Sequence, residues 1–170
     1  MDIVSKQKRS EMMSNIGAKN TKPELLVRQI LHSRGYRFRL HSAKLPGKPD
    51  ITLRKHNTVI FVHGCFWHGH DCAIFRLPKT RTEFWRDKIE ANRVRDKRNI
   101  EILLSKSWRI LIVWECALKG KHRLSRKGFI DLLESWFSSV DNKAMISSTG
   151  IESITLASRI LPKSKNRSLS

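Results

Sequence analysis

Carboxylates are scarce in this chain. Its 170 residues hold 15 Asp and Glu against 34 Lys and Arg, a formal net charge of +19. An imbalance of that size exceeds what solubility requires. It draws in polyanions and speeds their encounter. Charge alone allows a DNA-binding protein, an RNA-binding or ribosome-associated protein, or a binder of acidic membrane surfaces. Long apolar runs are missing as well: no stretch of about 18 apolar residues exists, which excludes a membrane-spanning helix. Residues 1–17 are polar and basic with no apolar core, so no secretory signal is expected. Cysteine is sparse and odd in number, with three in all. That excludes a simple disulfide framework and suits reduced thiols or a metal site. No internal repeat is found. The length is that of one domain with a real hydrophobic core.

What is present is concentrated. His63 to Cys72 reads His-Gly-Cys-Phe-Trp-His-Gly-His-Asp-Cys. Thiolates and imidazoles are the preferred ligands of zinc, and two large aromatics stand among them in a strongly basic chain. The combination points to nucleic acid.

Taken in order, residues 5–16 carry Lys6, Lys8, Arg9, Met12, Met13 and Ile16. They read either as a short basic helix with an apolar edge or as a solvated tail. Thr21-Lys22-Pro23-Glu24 is a helix start with the spacing of a capping box. Leu26, Val27, Ile30 and Leu31 give its apolar face and Gly35 its end. Residues 36–40 alternate as a half-buried strand. After the Pro46-Gly47 turn, Asp50 opens a strand at 51–53. Residues 58–62 are β-branched and nearly all apolar, a strand buried on both faces. A hairpin of these two strands would set Asp50 beside His63. Thr82 can cap a charged helix running to about Lys106. Residues 108–114 form another buried strand with Cys116 just beyond it. Ser125 caps a last helix, with Leu124 and Phe129 as its staple. Its core stripe is Phe129, Leu132, Leu133, Trp136 and Phe137. The fold class is therefore α/β, a mixed central sheet flanked by helices. Residues 1–138 are expected to form a single domain with a basic N-terminal helix. Residues 139–170 are expected to form a polar, largely flexible C-terminal tail, with one weak element at 151–161.

Three groups of residues carry chemistry. Cys65, His70, Cys72 and Cys116 would supply three sulfurs and one nitrogen, a closed structural zinc site. The alternative is a buried Cys116 at a strand end and two free thiols. A carboxylate such as Asp50 at a strand start is how many nucleases hold Mg²⁺. The Asp/Glu-x-Lys that often follows is replaced here by Phe61-Val62-His63. Pro49-Asp50 alone is a common turn pair; His63 and His68 give it weight. Either could orient or deprotonate a water or steady a phosphate, or they could be solvated loop residues or further zinc ligands. Phe66, Trp67 and Trp85 fall outside the core stripes, as apolar wedges for DNA or as packing over the loop. Trp108, Trp114 and Trp136 are assigned to the core.

With these residues in view, the chain resembles the very short patch repair (Vsr) DNA mismatch endonucleases, which nick T:G mismatches. The resemblance spans about residues 8–137. It rests on Leu-Pro-Gly-Lys-Pro-Asp (45–50), His-Gly-Cys-Phe-Trp-His (63–68), Thr-Arg-Thr-Glu-Phe-Trp (80–85) and Leu-Ile-Val-Trp-Glu-Cys-Ala-Leu (111–118). It implies a restriction-endonuclease-like fold, catalytic Mg²⁺ and structural Zn²⁺. Asp50 would bind Mg²⁺ with the backbone carbonyl of Val62. His68 would activate the attacking water, His63 would support the reacting network, and Glu24 would orient His68 or its water. Cys65, His70, Cys72 and Cys116 match the zinc site. Phe66, Trp67 and Trp85 match the wedge, Lys88 and Asn92 residues near the mispair, and Met13 and Ile16 a helix gripping the opposite groove. Two departures are Asp71, where relatives carry another histidine, and Gly69, which adds flexibility to the loop.

The implied partner is double-stranded DNA with a T:G mispair, acted on by a monomer in the bacterial cytoplasm. Mismatch-repair proteins are a further candidate partner, and no membrane is involved. The competing readings are a restriction-type nuclease on matched DNA and a non-catalytic, zinc-stabilised DNA-binding protein.

Overall fold

The computed structural model describes residues 19–153 together with residues 5, 7 and 8. Met13 and Ile16 lie outside the described residues. Among the described elements, the helix labelled α1 spans Lys22–Ser33. Thr21 is extended, and its Oγ1 accepts from the Glu24 amide at 3.4 Å. The Glu24 carboxylate returns the bond to the Asn20 amide at 2.8 Å. The reciprocal cap thus closes one residue earlier than the Thr21–Glu24 pattern implies.

Six strands form one sheet in chain order: β1 Arg39–Leu40, β2 Ile51–Leu53, β3 Thr58–His63, β4 Arg109–Trp114, β5 Lys143–Ser147 and β6 Gly150–Ser153. β3, β4 and β5 run parallel, and an antiparallel pairing closes each end. The long helix α2 (Thr82–Ser105) connects β3 to β4. The short α3 (Glu115–Leu118) and α4 (Arg126–Ser138) connect β4 to β5. The central strands are buried on both faces. On one, α1 and α4 supply Val27, Ile30, Phe129 and Trp136 against Ile60, Leu111 and Ala144. On the other, Ile100 and Leu103 of α2 meet Val59, Phe61, Ile110 and Ile112. Consecutive residues of β3 and β4 thus point to opposite cores, which is why both read as unbroken apolar runs.

Four expectations need correction. The strand at 36–40 shrinks to Arg39–Leu40, because the Tyr36 amide closes the end of α1 on the Leu31 carbonyl at 3.0 Å, while its ring stacks on Phe137. The strand at 108–114 starts at Arg109, because the Trp108 amide closes the end of α2 on the Leu103 carbonyl. The cap of α2 is Arg81, in left-handed conformation. The Thr82 hydroxyl instead donates to the Pro78 carbonyl at 3.0 Å. The polar tail expected from residue 139 holds β5 and β6. Ala144 and Ile146 are fully buried there. Arg109 holds the approach, donating to the carbonyls of Trp136, Ser139 and Asp141. No helix among the described residues is long and apolar enough to cross a membrane.

Candidate active site

β2 and β3 deliver the acid and the first histidine. Asp50 immediately precedes β2, and its Oδ2 accepts from the Val62 amide at 2.7 Å. The antiparallel register, Ile51 against Ile60, puts Asp50 across from Phe61, not beside His63. His63 ends β3 and is buried. His68, from the loop that follows, lies flat on it, with ring centroids 3.7 Å apart and planes within 1°. A cavity of about 570 Å³ brings Asp50, Val62, His63 and His68 together with Lys48 and Asp96.

Two stacked imidazoles cannot both carry charge. Burial, reinforced by the neighbouring His68, lowers the His63 pKa to about 3, so His63 is neutral near pH 7. His68 Nδ1 contacts Asp96 Oδ2. Burial would raise the Asp96 carboxyl, but the hydrogen bond and charge of His68 hold it below its ordinary value. For Asp50, burial wins and raises the carboxyl despite the Val62 amide and the nearby His41 and Arg28.

Glu24 does not reach this pair as expected. It is 2% exposed, ion-paired to Arg28, and 3.2 Å from His41 Nε2. Glu24, His41 and Asp50 offer donor atoms within 4.8 Å of one another. The carboxylate on His68 is Asp96, which the sequence reading missed. Asp96 sits in a run of charges on α2 that reads as a solvated face. Its only signal is the i, i+4 relation to Asn92, which puts both on the side of α2 facing the loop.

The loop after β3 is held by a second cluster. Donor atoms of Cys65, His70, Cys72 and Cys116 all lie within 4.8 Å of one another. His70 Nδ1 is 3.6 Å from both Cys65 Sγ and Cys116 Sγ. The His70 ring stacks on Trp114 at 4.2 Å. Burial pushes the Cys65 thiol up. Gly69 is not a flexible link. Its φ is +62°, and a Cβ there would lie 2.6 Å from Ile89 Cγ2 on α2.

Phe66, Trp67 and Trp85 form an edge-to-face group with centroids 5.1 to 6.1 Å apart. Lys88 Nζ stands 5.9 Å from the Trp67 ring and 5.8 Å from that of Trp85. Asn92 donates to the Trp67 carbonyl at 2.8 Å, so it braces the aromatic loop. Phe84 extends the group onto the surface at 43% exposure.

An acid at a strand start, paired imidazoles backed by a carboxylate, and aromatics beside a lysine are the groups that a hydrolytic site of the nuclease class draws on. Residues 1–74 match the family model described as DNA mismatch endonuclease Vsr. The chain is 43% identical over 150 residues to the DNA mismatch endonuclease Vsr of Escherichia coli, covering 88% of this chain and 96% of that protein. It is 52% identical over 117 residues to the type II nicking enzyme V.XorIIP of Xanthomonas oryzae, covering 69% and 86%. It is 47% identical over 120 residues to the type II nicking enzyme V.NmeAIP of Neisseria meningitidis, covering 71% and 86%. The chain belongs to the Vsr family of DNA mismatch endonucleases and is an endodeoxyribonuclease.

Proposed function

We propose that this protein nicks one strand of duplex DNA, 5′ of the thymine in a T:G mispair left by deamination of 5-methylcytosine. The observation that carries the reading is the grouping of Asp50 with the His63–His68–Asp96 stack in one cavity, beside the aromatic loop. The fold is restriction-endonuclease-like, and the protein acts as a monomer on DNA in the bacterial cytoplasm. Mismatch-repair proteins are a candidate partner.

The donors near Asp50 suit a hard divalent cation, since a carboxylate and a backbone carbonyl such as that of Val62 are the oxygen ligands Mg²⁺ takes. Bound Mg²⁺ would supply Lewis acidity at the phosphate and the leaving oxygen. His68 does the proton work. With Asp96 accepting from its Nδ1–H, the lone pair is on Nε2, where it can take the proton of the attacking water. Neutral His63 supports that ring without competing for the proton. Glu24, balanced by Arg28, positions His41 beside Asp50.

Cys65, His70, Cys72 and Cys116 suit structural Zn²⁺. Tetrahedral zinc with Zn–S near 2.3 Å and Zn–N near 2.0 Å requires an S···N edge of roughly 3.5 Å. Both measured sulfur-to-His70 distances are 3.6 Å. Zinc would brace the loop carrying Phe66, Trp67 and His68. The wedge unstacks a base step at about a few kcal/mol, and a T:G wobble is the cheaper pair to distort. Lys88 and Asn92 stand behind the wedge. Met13 and Ile16 are proposed to grip the opposite groove.

Asp50→Ala tests the reading. The variant is expected to retain mismatch binding in a gel-shift assay and to lose nicking. Substantial Mg²⁺-dependent nicking by Asp50→Ala would sink the assignment.

A further inference from the structure

Outside the active site, three separate segments converge on a small cavity of about 240 Å³. Arg76 comes from the loop before α2, Lys119, Lys121 and His122 from the turn after α3, and Ser148 from the β5–β6 turn. Among the described residues no carboxylate lines it. The Lys119 ammonium is balanced by Glu115 at 3.0 Å, which leaves Arg76 and Lys121 as the charges facing a ligand. His122 and Ser148 add hydrogen-bonding groups.

The walls are built rather than incidental. Gly120 has φ +93°, and a Cβ there would lie 2.8 Å from Ile74 Cγ2. Only glycine lets the 119–122 turn pack this closely on the loop that carries Arg76. The Leu124 amide closes that turn on the Ala117 carbonyl at 2.9 Å. Cys116 forms part of the wall, so the cavity abuts the cysteine–histidine cluster.

We infer that this cavity is a phosphate-binding site that takes a backbone phosphate of the duplex held by the aromatic wedge. A water occupies about 30 Å³, so the space holds one phosphate with part of its water shell. A guanidinium and an ammonium lining one cavity with a hydroxyl and an imidazole are donors a phosphate oxygen selects; Arg76 Nη1 donates to the Phe75 carbonyl at 2.7 Å. The source is argued from position. Phe75, the residue before Arg76, stacks on Phe66 of the wedge with centroids 6.4 Å apart. The cavity therefore begins one residue beyond a ring packed on the wedge. The choice of DNA rests on the function proposed above; the phosphate chemistry does not.

The test is the salt dependence of binding to a T:G duplex, by fluorescence anisotropy across a KCl series, for the wild type and for Arg76→Ala/Lys121→Ala. Each phosphate contact contributes roughly 0.9 to the slope of log K against log salt. The double variant is expected to bind more weakly at low salt, with a slope shallower by about that amount. Lys127→Ala, an exposed cation already paired with Asp131, should leave the slope unchanged. A second arm titrates inorganic phosphate into DNA-free protein by calorimetry at constant ionic strength. An unchanged slope with phosphate binding lost in the variant would support the pocket and reassign its source to free phosphate. An unchanged slope with no phosphate binding to the wild type would overturn the inference. Should the double variant fail to fold by circular dichroism, Lys121→Gln repeats both arms. A wild type that binds no DNA would count against the proposed function, while the phosphate arm still decides the pocket.

Discussion

Gly69→Ala perturbs the one residue that joins the candidate active site to the cysteine–histidine cluster, between His68 and His70. Two costs can be read from the structure. A non-glycine residue at φ +62° sits in the left-handed region, at about 1–2 kcal/mol. The added methyl would also lie 2.6 Å from Ile89 Cγ2. Ile89 is a buried residue on α2, so it has little room to yield, and overpacking of this kind costs about 1–3 kcal/mol. The sum is about 2–5 kcal/mol. The assay is urea unfolding read by Trp fluorescence, with midpoint and slope fitted separately so that stability is not confused with compactness. A double-mutant cycle separates the two costs. Ile89→Ala alone loses about 2–5 kcal/mol through its cavity. Combined with Gly69→Ala, it removes the atom that clashes but leaves the backbone strain. The pair should therefore be less destabilised than the sum of the singles by about 1–3 kcal/mol. A single variant within about 0.5 kcal/mol of wild type, or strictly additive singles, would refute the reasoning.

Other expectations follow from the same geometry. Cys116→Ser should lose metal content and melt several degrees lower; unchanged metal by elemental analysis with unchanged melting would contradict the four-ligand site. Asp96→Asn should reduce nicking about 10²–10⁴-fold, the range of a lost general-base contribution, while binding stays near wild type; parallel losses in both would make Asp96 merely structural. Trp67→Ala should weaken binding to a T:G duplex by about 1–3 kcal/mol, the usual value of an aromatic–base stack, measured by anisotropy. Equal binding by Trp67→Ala and wild type would remove that ring from the wedge. Arg109→Met should destabilise the β4–β5 connection, because the Trp136, Ser139 and Asp141 carbonyls each lose a guanidinium donor; an unchanged urea midpoint would show that β5 docks without it.

What the sequence makes legible is whatever depends on local pattern. The Thr21 cap, the Ser125 cap and the doubly buried β3 and β4 all follow from neighbours in the chain. Ser125 does accept from the Gly128 amide at 3.0 Å. The cysteine–histidine quartet is legible too, because so few thiols leave little choice of partners. Long-range geometry is not. β5 sends only Ala144 and Ile146 to one core and Met145 against the other, too short a run to stand out from a polar stretch, and it is held by an arginine 34 positions earlier. Asp96 is one charge among many on α2, and only folding brings it onto His68. Glu24 belongs to a buried ion pair with Arg28, one helical turn away, a relation that also fits an ordinary surface pair. Gly69 reads as freedom in the sequence and proves to be a close contact, since nothing local reveals Ile89 on the other side.

The central claim is strand-specific, mismatch-dependent hydrolysis at Asp50 and the His63–His68 pair. Its most direct measurement is a nicking assay on a labelled duplex carrying one T:G mispair, beside its matched T:A control, each with Mg²⁺ or with EDTA. The account predicts a single nick on the thymine strand, 5′ of the mispaired base, only in the mismatched duplex and only with Mg²⁺. Equal cutting of matched and mismatched duplexes, or binding with no cutting in any mismatch context, would contradict it.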